Sequence, residues 1–310
     1  MDALVSVVMP VLNAGPWLGE AIASILAQSR GALELVVVDD GSADDSRDVA
    51  ARAAKQDSRV RTLFLERDPA STSSARAANA GIATARGRYI ARMDADDIAL
   101  PGRLDRQVAF LEDRALDACG GLAQAFGTEE KLYWYPESHE GVVRELIFRV
   151  GILHPTLLAR AELMRAHAYD PKVSHEDHDW QVRVAAAGAR LGNVQEVVLR
   201  HRNHPDQANR RHRELFVRDL RQQRFRHVMR LFPGTGPAQY QALAWLAEGA
   251  PFESPEELEA AGRWLVRLAD LPDPRLRRAM DRRWGKACER AGLPKDDPLR
   301  RRIRAEIESG

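Results

Sequence analysis

Between Val5 and Met93 the chain alternates short apolar runs with stretches of helical periodicity, and this alternation limits the fold more than any other feature. Val5-Ser6-Val7-Val8-Met9 has the pattern of a buried strand and stops at Pro10. Trp17, Leu18, Ala21, Ile22, Ile25 and Leu26 then recur at helical spacing. Leu33 to Val38 reads as a second strand, Ser46 to Ala54 as a second helix and Val60 to Leu65 as a third strand. Ser73 to Ala85 reads as a third helix and Tyr89 to Met93 as a fourth strand. Such alternation forms right-handed βαβ units, which predicts an α/β fold with a mainly parallel central sheet flanked by helices. Ligands in these sheets bind beyond the carboxyl ends of the strands.

Three of those ends carry polar clusters: Pro10 to Asn13, Asp39-Asp40-Gly41-Ser42, and Asp94-Ala95-Asp96-Asp97. Three carboxylates this close repel one another unless something positive sits among them, and a divalent cation with oxygen ligands is the ready candidate. The spacing Asp94-x-Asp96 at a strand end suits a metal held against a phosphate. Plainer readings exist for each cluster alone. The aspartates could cap the helix that begins near Pro101, and Asp39 to Ser42 could be a turn in which Gly41 takes a positive φ and Ser42 or Asp44 caps the next helix. Convergence on one rim favours a nucleotide and metal site. Pro10-Val11-Leu12-Asn13-Ala14-Gly15 is neither a dinucleotide fingerprint nor a P-loop, so a diphosphate bound here needs a metal or arginines to neutralise it.

A chain of 310 residues can hold a domain of about 200–250 residues and a smaller appendage. Its 46 lysines and arginines against 45 acids give no global reason to expect a nucleic-acid partner. Cys119 and Cys288 are isolated, which argues against a disulfide scaffold or a zinc site and fits a reducing compartment. The first residues lack a basic leader pattern, and no apolar run reaches the ~18 residues a membrane span needs. The expectation is a soluble cytoplasmic protein, with peripheral contact at the inner face of the membrane left open.

Six segments occur in an order that resembles the glycosyltransferase family 2 enzymes of the GT-A fold. They are Val7 to Asn13, Glu20 to Ser29, Glu34 to Ser42, Ala75 to Ile82, Ala85 to Ile90, and Met93-Asp94-Ala95-Asp96-Asp97. The resemblance runs from Val5 to about Asn209, roughly two thirds of the chain. Leu12 departs from it, because the family often has an aromatic residue before the asparagine. The resemblance implies that Asp39 bonds the uracil edge, that Pro10, Val11 and Asn13 help form the base and ribose pocket, and that Arg76 lies near the nucleotide. It further implies that Asp94 faces the ribose and diphosphate while Asp96 holds Mn²⁺ or Mg²⁺. A solvated position on a helix face is the alternative for Arg76.

The second half must supply a base and the acceptor side. A direct displacement needs a carboxylate or imidazole within reach of the acceptor hydroxyl. His175-Glu176-Asp177-His178-Asp179-Trp180 resembles the family's Glu-Asp motif, which implies Asp177 as base with Glu176 supporting it. Asp179 is a competing base, an acidic helix start is the plain alternative, and His175 with His178 make a small metal site conceivable without a third ligand. By the same resemblance, His204 in Val197 to His204 is a candidate metal or diphosphate ligand, against a surface histidine, and His154-Pro155-Thr156 matches a segment on the acceptor side. From Arg200 to Arg230 there are ten arginines and three acids, which suits an anionic acceptor, an anionic lipid surface or an amphipathic helix packed on the catalytic domain. Phe232 to Pro237 reads as a linker, followed by helices over Gln239 to Glu248, Pro255 to Leu268 and Pro274 to Ala291.

The sequence thus predicts a catalytic domain over 1–232 and a helical region over 233–310. The expected activity is inverting, metal-dependent transfer from a nucleotide-sugar donor, UDP-linked, to a glycan or lipid-linked acceptor in bacterial surface polysaccharide or glycoconjugate synthesis. A sugar nucleotidyltransferase would carry a glycine-rich basic loop after the first strand. A phosphatase using Asp-x-Asp would want a turn glycine where Asp97 stands. In a non-catalytic sugar-nucleotide-binding module Asp177 would not matter.

Overall fold

A computed structural model of the chain describes residues 3–29, 31–71, 73–204, 213–270 and 274–309. The four expected strands form as β1 (Val5–Val11), β2 (Leu33–Asp39), β3 (Val60–Phe64) and β4 (Tyr89–Arg92), separated by α1 (Gly15–Leu26), α2 (Ser46–Gln56) and α3 (Ala75–Thr84). β1 and β2 are buried along their whole length, which is why both read as unbroken apolar runs rather than alternating ones. After β4 come β5 (Ile98–Ala99), α4 (Arg103–Asp113), β6 (Ala118–Gly127), β7 (Lys131–Tyr133), α5 (His139–Glu145), β8 (Leu158–Arg160), α6 (Ala161–Ala166), α7 (Glu176–Ala186) and β9 (Leu191–Asn203).

One sheet joins them in the order β3-β2-β1-β4-β8-β6-β9-β5, with β7 beside β6. The β3-β2-β1-β4 half is parallel, as the βαβ pattern requires. β8 then inserts antiparallel between β4 and β6, and β9 pairs parallel with β6. Two reversals restore direction, so β6 and β9 run the same way as β1. The register pairs Val11 with Asp39 and Val8 with Arg92. The segments following β1, β2, β4 and β9 therefore leave the sheet at one rim.

Beyond the sheet lie α8 (Arg213–Leu231), α9 (Pro237–Glu248), α10 (Pro255–Ala269), α11 (Pro274–Arg290) and α12 (Pro298–Ser309). The last helix escaped the sequence reading, although Leu299, Ile303 and Ile307 recur every fourth residue after an Asp-Pro start. Asp297 caps it, its Oδ1 accepting from the amides of Leu299 (2.8 Å) and Arg300 (3.2 Å). The expected linker is packed: the Phe232 ring meets Trp264 edge-on at 5.1 Å and lies under Arg267.

The helical region is joined to the sheet domain by shared core and charge. Ile147, Phe148 and Val228 bury into the cluster of Leu258, Leu265, Met280, Trp284 and Ile303. Fully buried Glu145 accepts from Arg149 (2.6 Å) and from Arg283 of α11 (2.7 Å). Burial opposes ionisation of Glu145, but the two guanidiniums outweigh it and hold the carboxyl below its usual value. Several described arginines of this stretch are engaged within the molecule. Arg218 pairs with Asp219, Arg221 with Glu248, and buried Arg224 donates to the Phe148 carbonyl. Helix α8 faces the domain with Val228 and with a polar set, Asp219, Gln223, Arg224 and His227. No helix among the described residues is long and apolar enough to cross a membrane.

Candidate active site

The loops after β1 and β2 are laced together by side chains. Asn13 sits at φ +54°, a left-handed conformation that asparagine tolerates better than most residues. Its amide donates to Ser42 Oγ (3.0 Å) and its Oδ1 accepts from the Ala43 amide (2.9 Å). Gly41 takes the expected positive φ, and a Cβ there would stand 2.6 Å from the Arg67 backbone. Asp39 is fully buried at the end of β2. Its Oδ1 accepts from the amides of Gly41 and Ser42, both at 3.1 Å, and from Arg47 Nε at 2.8 Å. Its Oδ2 is buried with no partner, an unsatisfied acceptor at the rim. Arg76 is engaged with Asp40 and with the Glu66 carbonyl. Pro10 is buried, and the Val11 side chain belongs to the core, so Val11 offers the rim only its backbone.

Beyond β4 the ligand atoms of Asp94, Asp96 and Asp97 lie within 4.8 Å of one another. Inside the protein each of these carboxylates lies against a basic side chain. Asp94 pairs with Arg92, Asp96 Oδ2 lies 3.0 Å from His204 Nε2, and Asp97 Oδ2 lies 3.1 Å from His201 Nδ1. Asp97 is fully buried and also accepts from the Arg202 amide at 2.8 Å, so its oxygens serve to fix β9 against the aspartate loop. Burial raises the Asp97 carboxyl to about 6, with the neighbouring aspartates adding to the rise. Burial works against a charged His201, but the bond to Asp97 and the surrounding carboxylates lift it to about 9. At neutral pH this pair is imidazolium and carboxylate. Burial, then the charge of Asp94, also raises Asp96. The Trp17 ring covers His204 at 4.1 Å between centroids, and the buried His204 Nδ1 has no partner. Asp94 and Asp96 offer hard oxygens and His204 a nitrogen, a set that suits Mn²⁺ or Mg²⁺.

The Glu-Asp segment opens α7, where three acids stand in the first turn. Asp177 Oδ1 accepts from the His178 amide at 2.8 Å and lies 3.3 Å from His175 Nδ1. Asp177 Oδ2 accepts no hydrogen bond among the described residues. Burial opposes the charge on Asp177, yet the bond and charge of His175 hold its carboxyl far below the usual range. Glu176 behaves oppositely: burial, then the adjacent Asp177, raises it to about 7. Its Oε1 accepts from Ser74 Oγ at 2.8 Å. Asp179 is committed to Arg183 at 2.7 Å. His178 has both ring nitrogens engaged, with Gln223 Oε1 and the Leu146 carbonyl at 2.8 Å each, which removes it as a metal ligand. Buried His154 lies 2.9 Å from the Tyr169 hydroxyl, and burial, with Arg92 nearby, lowers it to about 3.

Sequence reasoning passed over Arg92, Ser74, Trp17 and His201. Arg92 left a usable signal, since an arginine inside the otherwise apolar run Tyr89 to Met93 must find a buried partner. The others depend on contacts between segments far apart in the chain.

Residues 6–186 match the family described as Glycosyl transferase family 2. The Streptococcus pneumoniae glycosyltransferase GlyG is 33% identical over 147 residues, which make up 47% of this chain and 48% of GlyG. The match thus spans about half of that relative's length. A Haemophilus influenzae chain described as an uncharacterized glycosyltransferase is 28% identical over 222 residues, 66% of this chain and 67% of its own length. Among solved structures, S. aureus TarS in complex with UDP-GlcNAc has a TM-score of 0.61 at 16% identity, covering 99% of this chain and 92% of TarS. The mannosyltransferase PcManGT from Pyrobaculum calidifontis, in complex with GDP-Man and Mn²⁺, has a TM-score of 0.58 at 19% identity, covering 99% and 85%. These structural likenesses show a shared GT-A fold.

Proposed function

The chain belongs to glycosyl transferase family 2, and on that premise we propose that it is an inverting, metal-dependent glycosyltransferase. It moves a sugar from a UDP-linked donor to a hydroxyl of a glycan or lipid-linked acceptor, in synthesis of surface polysaccharide or a related glycoconjugate. The observation that carries this reading is one rim holding both a buried, unsatisfied carboxylate oxygen at Asp39 and the oxygen cluster of Asp94 and Asp96. The first suits an imide N–H of a nucleobase; the second suits a cation against a diphosphate.

In this reading Asp39 orients the base, with Pro10, Val11 and Asn13 shaping the pocket and Arg76 supporting it through Asp40. Asp94 faces the ribose and diphosphate, while Asp96 and His204 hold Mn²⁺ or Mg²⁺. A cation there neutralises charge on the departing diphosphate. Asp177, ionised at neutral pH and with Oδ2 open, takes the proton of the acceptor hydroxyl as it attacks. A single base without a second nucleophilic carboxylate in line suits one displacement, hence inversion. The Mn²⁺ in the PcManGT complex and the UDP-sugar in the TarS complex support the metal and the donor class. We also propose that residues 1–232 form the catalytic unit, that 233–310 form a helical accessory region, and that the protein works in the cytoplasm, at the inner face of the membrane where its acceptor is lipid-linked.

The test is a screen of UDP- and GDP-sugars for nucleotide release with Mn²⁺, Mg²⁺ or chelator, with the anomeric configuration of the product read by NMR. Metal-dependent UDP release with an inverted anomer supports the reading. A retained anomer, or release of equal rate in chelator, contradicts it.

A further inference from the structure

Arg92 ends β4, buried on the face it shares with Ile90, which packs in one cluster with Ala75 and Ala78 of α3 and Trp180 of α7. Its guanidinium reaches in two directions. One arm pairs with Asp94 of the aspartate loop; the other, Nη2, donates to Ser74 Oγ at 3.3 Å. Ser74 Oγ in turn donates to Glu176 Oε1 at 2.8 Å, and the Ser74 amide donates to the same oxygen at 3.2 Å. From Arg92 to Glu176 the donors and acceptors alternate correctly, guanidinium to hydroxyl to carboxylate, and the Asp94 end is closed by an ion pair. Arg103 anchors its root, donating from Nη2 to the Arg92 carbonyl at 2.9 Å.

Ser74 makes this arrangement unusual. It occupies the N-cap of α3, where a serine hydroxyl ordinarily accepts from an amide in the first turn, yet it makes no such bond. The hydroxyl is turned instead toward Arg92 and Glu176, in a segment 102 residues from its acceptor. Arg92 Nη1 meets Asp94 as an ion pair without a hydrogen bond, and the buried Nε has no hydrogen-bond partner, so charge rather than a full set of bonds holds the side chain.

We propose that Arg92 and Ser74 are positioning residues that hold the aspartate loop and the start of α7 at a fixed separation, so that donor binding and base placement are coupled. This rests on the proposed function, because it assigns Glu176 and Asp177 to the acceptor side. Neither residue touches substrate in this account; each acts through Asp94 or Glu176.

The experiment uses the full chain with Ser74→Ala, Ser74→Thr, Arg92→Lys and the Ala/Lys double variant. Ser74→Ala should lower kcat roughly 10-fold, because misplacement by a fraction of an ångström suffices, with donor KM within twofold of the wild type. Ser74→Thr keeps the hydroxyl and should restore most of kcat. The double variant should be no worse than the weaker single one, since both cut the same string. Because Ser74 does not cap α3, Ser74→Ala should leave Tm nearly unchanged. Hydrogen exchange supplies a readout apart from turnover: UDP with Mn²⁺ should protect the amides of residues 176–179 in the wild type but not in Ser74→Ala. Wild-type kcat in Ser74→Ala, additive losses in the double variant, or equal protection in Ser74→Ala would each overturn the coupling. A wild type without sugar transfer would instead overturn the base assignment, whatever the exchange shows.

Discussion

His204 Nε2 lies 3.0 Å from Asp96 Oδ2, joining the end of β9 to the aspartate loop across 108 residues of sequence. The histidine is fixed from its other side by the Trp17 ring of α1. Replacing His204 by Ala should weaken Mn²⁺ binding roughly 10-fold or more if it is a ligand, as metal-site partners commonly do. Titration calorimetry with Mn²⁺ in the presence of UDP reads this directly, and unchanged affinity would reduce His204 to a packing role.

Asp177→Asn should lower transfer roughly 10²–10⁴-fold, the usual contribution of a positioned base, while leaving UDP binding within a factor of about two. Asp179→Asn should change turnover only several-fold, because Asp179 is already held by Arg183. Initial rates for the two variants decide between them; a larger loss at Asp179 would transfer the base role there.

The pair of Asp97 and His201 makes stability depend on pH. His201 is raised in the folded state to about 9, so its contribution is complete below ~6.5 and disappears as pH rises through 9. Asp97, raised to about 6, titrates earlier and leaves that window to the histidine. His201→Gln should be less stable than the wild type at pH 6.5 by up to about 3 kcal/mol, and the gap should close toward pH 10. Urea unfolding at several pH values measures it, and a constant gap would refute the linkage.

Glu145 is the buried charge that binds two arginines at the joint with the helical region. Glu145→Ala leaves both guanidiniums without their carboxylate and should destabilise the protein by about 3–5 kcal/mol. A loss below about 1 kcal/mol in denaturant unfolding would mean that the shared apolar core alone holds the joint.

Much of the rim was legible because its signals are local. The βαβ alternation gives the parallel direction of the first four strands, and Asp39-Asp40-Gly41-Ser42 and Asp94-x-Asp96 stand where strands must end. Gly41 was readable because its backbone geometry has a residue-type signature. The partners were not readable. Arg92, His201 and Ser74 act through hydrogen bonds that span 18 to 104 residues or that displace an expected cap, and periodicity carries no record of such pairs. The polar contacts of α8 were unreadable for a related reason: Asp219 and Gln223 look solvent-facing until Ser174 and His178 are brought against them. The closing helix Pro298–Ser309 was readable from its spacing and its Asp-Pro start, and only its charge density obscured it.

The account as a whole depends on a cation and a nucleoside diphosphate being held together at the rim by Asp39 and Asp96. The most direct measurement is calorimetric titration of UDP into the wild type, Asp39→Ala and Asp96→Ala, each with Mn²⁺ and with chelator. The account predicts tight binding only for the wild type with Mn²⁺, a loss of roughly 10–100-fold in Asp39→Ala under the same conditions, and no response of Asp96→Ala to the metal. Binding of UDP by the wild type with equal affinity in Mn²⁺ and in chelator would contradict it.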